Sequence, residues 1–251
     1  MRALIVSGYG INADEELGHA FTMAGAQAQL VHAADLIAKP GLLAGAGFLA
    51  FPGGFSFGDH LGSALVLANM FRSSMEKDIR SFIADGGMVI GICNGFQVLV
   101  KMGLLPDLDG QGKPEASLVH NDCGHYLDEW VDVRFEHDSP CVWTKGLSPR
   151  LLPIRHGEGK FVCTNADTLK RLEKEHRVAL RYDGRNPNGS VNDIAGICDA
   201  TGRVFGLMPH PEASIHPEAH PYRRRGIRGG LGLDLFQNAV AWRSKAVSST
   251  S

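Results

Sequence analysis

Long apolar runs are missing from this 251-residue chain. None reaches the roughly 18 to 20 residues that a membrane-spanning helix needs. The opening Met1-Arg2-Ala3-Leu4-Ile5-Val6 enters a strand pattern at once, with no leader of the secretory kind, so a cytoplasmic setting is expected. Cysteine is sparse. The five residues stand at 93, 123, 141, 163 and 198, an odd number with no C-x-x-C pair. That argues against a disulfide framework and a zinc site, and for a reducing compartment. Net charge is only -2, which gives no bulk attraction to nucleic acid or to a membrane surface. No glycine-rich phosphate loop of the P-loop type is present, so no nucleotide is expected on this chain. What is present, 44% hydrophobic and 21% charged residues, suits one α/β domain. We assign it to residues 1–245 and predict a disordered tail over 246–251.

The informative stretch is Met88-Val89-Ile90-Gly91-Ile92-Cys93-Asn94-Gly95-Phe96-Gln97-Val98-Leu99-Val100. A strand-like apolar run passes into a helix-length pattern at Cys93. Gly91 and Gly95 lie two residues to either side. This is the spacing of a nucleophile elbow, with cysteine as the nucleophile. The chain turns sharply from strand to helix, and side chains at those two positions would clash in the turn. The positive end of the following helix favours the anionic, nucleophilic form of the sulfur.

Around this stretch, short strands alternate with helices. Strands are predicted at residues 3–6, 27–32 and 47–51. Helices are predicted at 15–24, capped by Asn12 or Asp14, and at 62–70 and 72–84, ended by Asp85-Gly86-Gly87. Such alternation indicates a doubly wound, mostly parallel sheet with helices on both faces, whose sites form at the carboxyl ends of strands. Between about 118 and 182 the pattern changes to short strand-like runs, read as a small mixed or antiparallel flap. It contains the polar turn His156-Gly157-Glu158-Gly159, and Asn186-Pro187-Asn188-Gly189 just after it is a strong turn signal. An amphipathic helix over 232–242 closes the chain.

Two more strand ends carry chemistry. Phe51 runs into Pro52-Gly53-Gly54-Phe55-Ser56-Phe57-Gly58-Asp59, where paired glycines can aim backbone N–H groups into a cleft. The strand before Met208-Pro209-His210-Pro211-Glu212 delivers His210 and Glu212. With both prolines holding the chain extended, the two side chains face the same way, as base and orienting acid. His216-Pro217-Glu218-Ala219 repeats His210-Pro211-Glu212-Ala213, but no apolar strand precedes the second copy. His216 and His220 have a helical i, i+4 spacing, yet the prolines and the want of a third ligand argue against a metal site. The basic loop over 222–230 suits contact with an anionic surface. Nucleophile, base, orienter and oxyanion donors together are the parts that acyl transfer through a thioester needs.

These segments resemble class I (triad-type) glutamine amidotransferases of flavodoxin-like fold. Within them the chain is most similar to the glutaminase subunits of phosphoribosylformylglycinamidine synthases, over residues 1 to about 242. The resemblance rests on residues 51–59, 91–97, 156–159, 188–190 and 208–212. It implies Cys93, His210 and Glu212 as the triad and backbone N–H groups of Gly54 and Asn94 as oxyanion donors. It implies Gly53, Gln97, His156, Gly157 and Glu158 around the glutamine. It also implies a synthetase partner that carries ATP and Mg, a possible small third subunit, and neither metal nor cofactor on this chain. Three departures stand out. Leu61-Gly62-Ser63 replaces a Leu-Arg-small sequence, Cys123 replaces a serine, and the chain is longer around 214–230. The same class pattern also fits a glutaminase subunit that feeds another synthetase. A non-catalytic protein with an elbow cysteine is a third reading, opposed by the intact His210-x-Glu212 pair.

Overall fold

A computed structural model of the protein describes residues 1–59, 62–226 and 229–248. The first part of the chain alternates regularly. β1 (Arg2–Ser7), α1 (Asp14–Met23), β2 (Gln27–His32), α2 (Ala33–Ala38), β3 (Ala46–Phe51), α3 (Leu65–Ala84), β4 (Met88–Ile92) and α4 (Asn94–Lys101) follow one another. The later part comprises β5 (Ala116–Val119), β6 (Leu127–Phe135), β7 (Arg150–His156), β8 (Lys160–Cys163), α5 (Ala166–Lys174), β9 (Val178–Tyr182), β10 (Ile194–Cys198), β11 (Val204–Leu207) and α6 (Leu233–Ser248).

Among the described residues nine strands form one sheet in the order β2-β1-β3-β4-β11-β10-β9-β6-β7. From β2 to β11 the neighbours are parallel, and from β11 onward each pair is antiparallel. β3 and β4 are buried at every position, as strands covered on both faces must be, which is why they read as unbroken apolar runs. Phe48 and Phe51 are three apart on β3 and so face opposite ways. Phe48 joins Phe21 of α1, Trp143 and, through Phe21, Phe236 of α6 in one aromatic cluster. Phe51 meets Phe71 of α3 edge-on at 5.1 Å on the other face. The doubly wound expectation is met in these two layers.

Several boundaries differ from expectation. Neither Asn12 nor Asp14 caps α1; the cap position is Ala13, without a side-chain hydrogen bond. The two helices predicted over 62–70 and 72–84 are one, α3, because Phe71 is buried mid-helix and nothing there breaks it. Leu61, in the first departure from the family pattern, lies outside the described residues. The antiparallel stretch is largely not a flap: β6, β7 and β9 extend the main sheet, and among the described residues β5 and β8 pair separately. Strand-like alternation says that a run is extended but not which open edge it joins. α6 continues to Ser248, so 246–248 are helical and not tail; the Ser244 and Ser248 hydroxyls donate to carbonyls four residues back within it. Residues 249–251 lie outside the described set. No described helix is long and apolar enough to cross a membrane.

Candidate active site

The end of β4 shows why glycine flanks the cysteine. Cys93 sits between strand and helix at φ 53°, ψ -108°, a strained conformation for a residue with a side chain. A Cβ on Gly91 would lie 2.5 Å from the Gly95 carbonyl oxygen, and one on Gly95 would overlap the Phe51 carbonyl oxygen on β3. Only glycine lets α4 start that close to the sheet. The strained residue is held from both sides: its N–H donates to the Leu207 carbonyl of β11 at 2.8 Å, and its carbonyl accepts from the Gln97 N–H at 3.1 Å. The sulfur lies 3.5 Å from the Arg155 carbonyl of β7.

The loop after β3 carries Gly53 and Gly54 past this sulfur. A Cβ on Gly53 would stand 2.7 Å from Cε1 of His210 and 3.6 Å from the Cβ of Cys93. Imidazole and cysteine therefore both close on Gly53, where a Cβ would not fit. Asn94, the first residue of α4, has a backbone N–H with no acceptor within its own helix, as first-turn N–H groups do not. Its buried side chain accepts from the Ser56 N–H at 3.3 Å and donates to Gln97 at 3.0 Å. The elbow is thereby tied to the glycine loop.

His210 and Glu212 meet as expected but by a different backbone route. The chain is not extended through them; Pro211 starts a short 3-10 helix over Pro211–Ser214, with its fixed φ suited to the first helical position. The His210 Nδ1–H donates to Glu212 Oε1 at 2.6 Å, and both residues are buried. Nε2 is left without a hydrogen-bond partner. Burial opposes charge on the ring, but the Glu212 carboxylate, followed by the Cys93 sulfur, outweighs it and raises the His210 pKa to about 10. The second copy lies elsewhere: His216 is exposed and its Nε2 is 3.2 Å from Nε2 of His19 on α1. Among the described residues no group of three or more His, Cys, Asp or Glu is arranged to hold a metal.

The cleft over Cys93 encloses about 240 Å³ and is lined by Asn12, Ala13, Gly54, Phe55, Cys93, Tyr126, Arg155 and His210. A larger cleft of about 720 Å³ lies at the opposite ends of the strands, beside Met1, Phe82 and Arg243, far from these groups. Gln97, His156, Gly157 and Glu158 do not line the active cleft; they build the wall behind it. The Gln97 side chain donates to the Glu158 carbonyl at 2.7 Å. His156 donates from Nδ1 to Asn121 Oδ1 at 3.1 Å, and the same oxygen accepts from the Gly159 N–H at 3.0 Å. Burial, then the charge of His210, pushes the His156 pKa down to about 4, so this second imidazole stays neutral beside the charged one. Cys123, the replaced serine, is exposed in a turn, with its sulfur 3.4 Å from the His125 carbonyl. Arg155 carried no motif in the sequence and Asn12 was read only as a helix cap; folding brings both, with Tyr126, to the cleft. Of the basic loop, residues 222–226 and 229–230 are described and do not line the cleft, and residues 227 and 228 are outside the described set.

Residues 1–243 match the CobB/CobQ-like glutamine amidotransferase domain. The phosphoribosylformylglycinamidine synthase subunit PurQ of Methanococcus maripaludis is 40% identical, with 97% of this chain and 98% of that one aligned. The PurQ subunit of Dehalococcoides mccartyi is also 40% identical, over 96% and 97% of the two chains. Among solved structures, that of PurLQS from Thermotoga maritima is similar, with a TM-score of 0.75, 30% identity and coverage of 96% and 98%. An elbow cysteine beside a carboxylate-paired imidazole, on a fold and sequence shared from end to end with these proteins, is the mark of one family: the chain belongs to the CobB/CobQ-like glutamine amidotransferases, among their PurQ subunits.

Proposed function

We propose that this chain is the glutaminase subunit of a phosphoribosylformylglycinamidine synthase, and that Cys93, His210 and Glu212 carry its chemistry. The Cys93 thiolate attacks the side-chain amide carbon of glutamine. Backbone N–H groups of Gly54 and Asn94 receive the oxyanion; one such donor contributes roughly 3 kcal/mol to lowering a barrier of this kind. Protonated His210 gives its Nε2 proton to the leaving nitrogen, and ammonia departs from the glutamyl thioester. Acylation removes the sulfur's negative charge, one of the two supports for the charged ring. The neutral ring then takes a proton from water, and the hydroxide releases glutamate and restores the thiolate. Glu212 keeps the proton on Nδ1 throughout, so that Nε2 is the working atom.

The observation that carries this reading is the 2.6 Å His210–Glu212 bond with a buried, unpartnered Nε2 in the cleft of a strained Cys93. The wall of Gln97, His156, Gly157 and Glu158, the first two of them buried, supports a role in shaping the pocket for the glutamine head group. Ammonia passes to a PurL-like synthetase subunit, with a small third subunit as a further component. That partner uses ATP and Mg to convert formylglycinamide ribonucleotide to its amidine in purine biosynthesis. This chain itself needs no cofactor, and the setting is cytoplasmic. The test is the reconstituted complex with Cys93→Ala. Glutamine-dependent amidation should vanish while amidation from added ammonia persists. Loss of both, or of neither, defeats the assignment.

A further inference from the structure

The loop after β1 runs alongside the glycine loop after β3, and four backbone hydrogen bonds join them. The N–H groups of Asn12 and Ala13 both donate to the Gly53 carbonyl, at 3.3 and 3.2 Å. The Phe55 N–H donates to the Gly10 carbonyl at 2.9 Å, and the Phe57 N–H to the Tyr9 carbonyl at 2.6 Å. Ile11 and Gly54 pair as an isolated antiparallel bridge between these bonds. The contact is too close for a side chain at Gly54: a Cβ there would come within 2.7 to 2.8 Å of Ile11, Asn12 and Gly10 backbone atoms, and φ is +151°. At the outer end the Tyr9 ring stacks on Phe57, with centroids 4.5 Å apart and planes 20° from parallel.

These bonds settle the direction of one peptide group. In a trans peptide the C=O and N–H point opposite ways. The Gly53 carbonyl is turned toward the entry of α1, so the Gly54 N–H is turned away from it. No backbone carbonyl accepts from that N–H among the described residues. A carbonyl that accepts two hydrogen bonds also polarises its own peptide, which strengthens the N–H at the other end. The two N–H groups just ahead of α1 are thereby both spent on the Gly53 carbonyl.

We propose that the segment 9–13 is the positioning element of the oxyanion hole. It holds the Gly53–Gly54 peptide with its donor facing the cleft before glutamine arrives, and Gly10 and Tyr9 are its positioning residues. The inference rests on the reading of Gly54 as an oxyanion donor. A donor fixed beforehand spends no reorganisation at the moment of reaction, which is where such groups gain their effect.

Gly10→Ala is the direct test. Its Cβ would lie 2.5 Å from the Phe55 carbonyl oxygen at a φ of +97°, so the Phe55–Gly10 bond must give way. With the synthetase partner present, glutaminase kcat should fall about 100-fold, with KM for glutamine within about twofold. Alkylation of Cys93 by iodoacetamide, which builds no oxyanion, should keep its parental rate when mapped by mass spectrometry. Tyr9→Ala removes the ring that stacks on Phe57 and tilts against His32, leaves the backbone bonds, and should lower kcat several-fold. A parental kcat in Gly10→Ala overturns the inference. If Gly10→Ala loses alkylation and turnover together, Tyr9→Ala decides, and its unchanged kcat overturns the inference. Cys93→Ala run in parallel separates the levels. If it still turns over glutamine, the reading of the site falls and the inference with it. If it is inactive while Gly10→Ala is normal, only the inference falls.

Discussion

The chain contains the tetrapeptide His-Pro-Glu-Ala twice, at 210–213 and 216–219, and the two copies have opposite fates. In both, the proline opens a short 3-10 helix, so the local backbone is much the same. His210 is buried, paired to Glu212, and next to Cys93. His216 and Glu218 are exposed, and the His216 ring lies against the exposed His19. The difference lies in what precedes them. β11 runs parallel to β4, with Leu207 in register with Ile92, so the chain leaves the sheet at the level where the elbow begins. The His210 N–H is then fixed on the Pro153 carbonyl of β7 at 2.8 Å. Six residues later there is no strand to aim the copy. A catalytic imidazole is thus made by delivery and desolvation, not by its immediate neighbours in the chain.

The sharpest way to break this contrast is His210→Ala. Glutaminase kcat should fall by about 10³- to 10⁴-fold, as loss of a general acid and base does, while ammonia-dependent amidation in the complex is retained. A variant with near-parental glutaminase would mean that the first copy is not the working one. Glu212→Gln should cost less, about 100-fold, and should bring the His210 pKa down from about 10, because the largest support for its charge is gone. NMR titration of the ring checks the second point; an unchanged titration would show that Glu212 does not hold it.

Stability against pH sharpens the same contrast. The folded chain holds the His210 proton up to about pH 10, whereas the unfolded chain releases it near 6.5. The fold therefore binds more protons across that window, and the His210 contribution to stability is complete below about 6.5 and is lost as pH rises through 10. His156 has the opposite sign. Its folded pKa of about 4 lies below 6.5, so acidification from 6.5 toward 4 favours the unfolded chain. Urea midpoints measured from pH 4 to 10 should peak between these limbs. His210→Ala should flatten the alkaline limb and soften the acid one, because the His210 charge is part of what holds the His156 pKa down, while His216→Ala should alter neither. The smallest effect belongs to His216→Ala itself. Glutaminase should stay within about twofold and stability within about 0.5 kcal/mol, as for an ordinary surface change. A large loss of activity there would reverse the assignment of the two copies.

The elbow was legible because sterics wrote it into the chain. Gly91 and Gly95 are glycines since β3 and the first turn of α4 leave no room for a Cβ, and an apolar strand on one side and a helix on the other announce the turn. The parallel half of the sheet was legible for a related reason: strands buried on both faces, such as β3 and β4, can only be apolar runs. The antiparallel half was less so. β6 and β7 show strand spacing, but joining the sheet through β9 and β10 depends on which edge stands open after β11 pairs with β4.

By itself the sequence determined the elbow, the glycine pair and the order strand–Cys, strand–His, since these depend on local sterics and on periodicity along the chain. Only the tertiary structure decided which imidazole is buried beside the sulfur and which stays in water. It alone placed Asn12, Tyr126 and Arg155 around the cleft and turned the Gly53 carbonyl toward α1. Those outcomes depend on contacts between residues tens of positions apart, and burial and charge act through distance in space, which no spacing along the chain records.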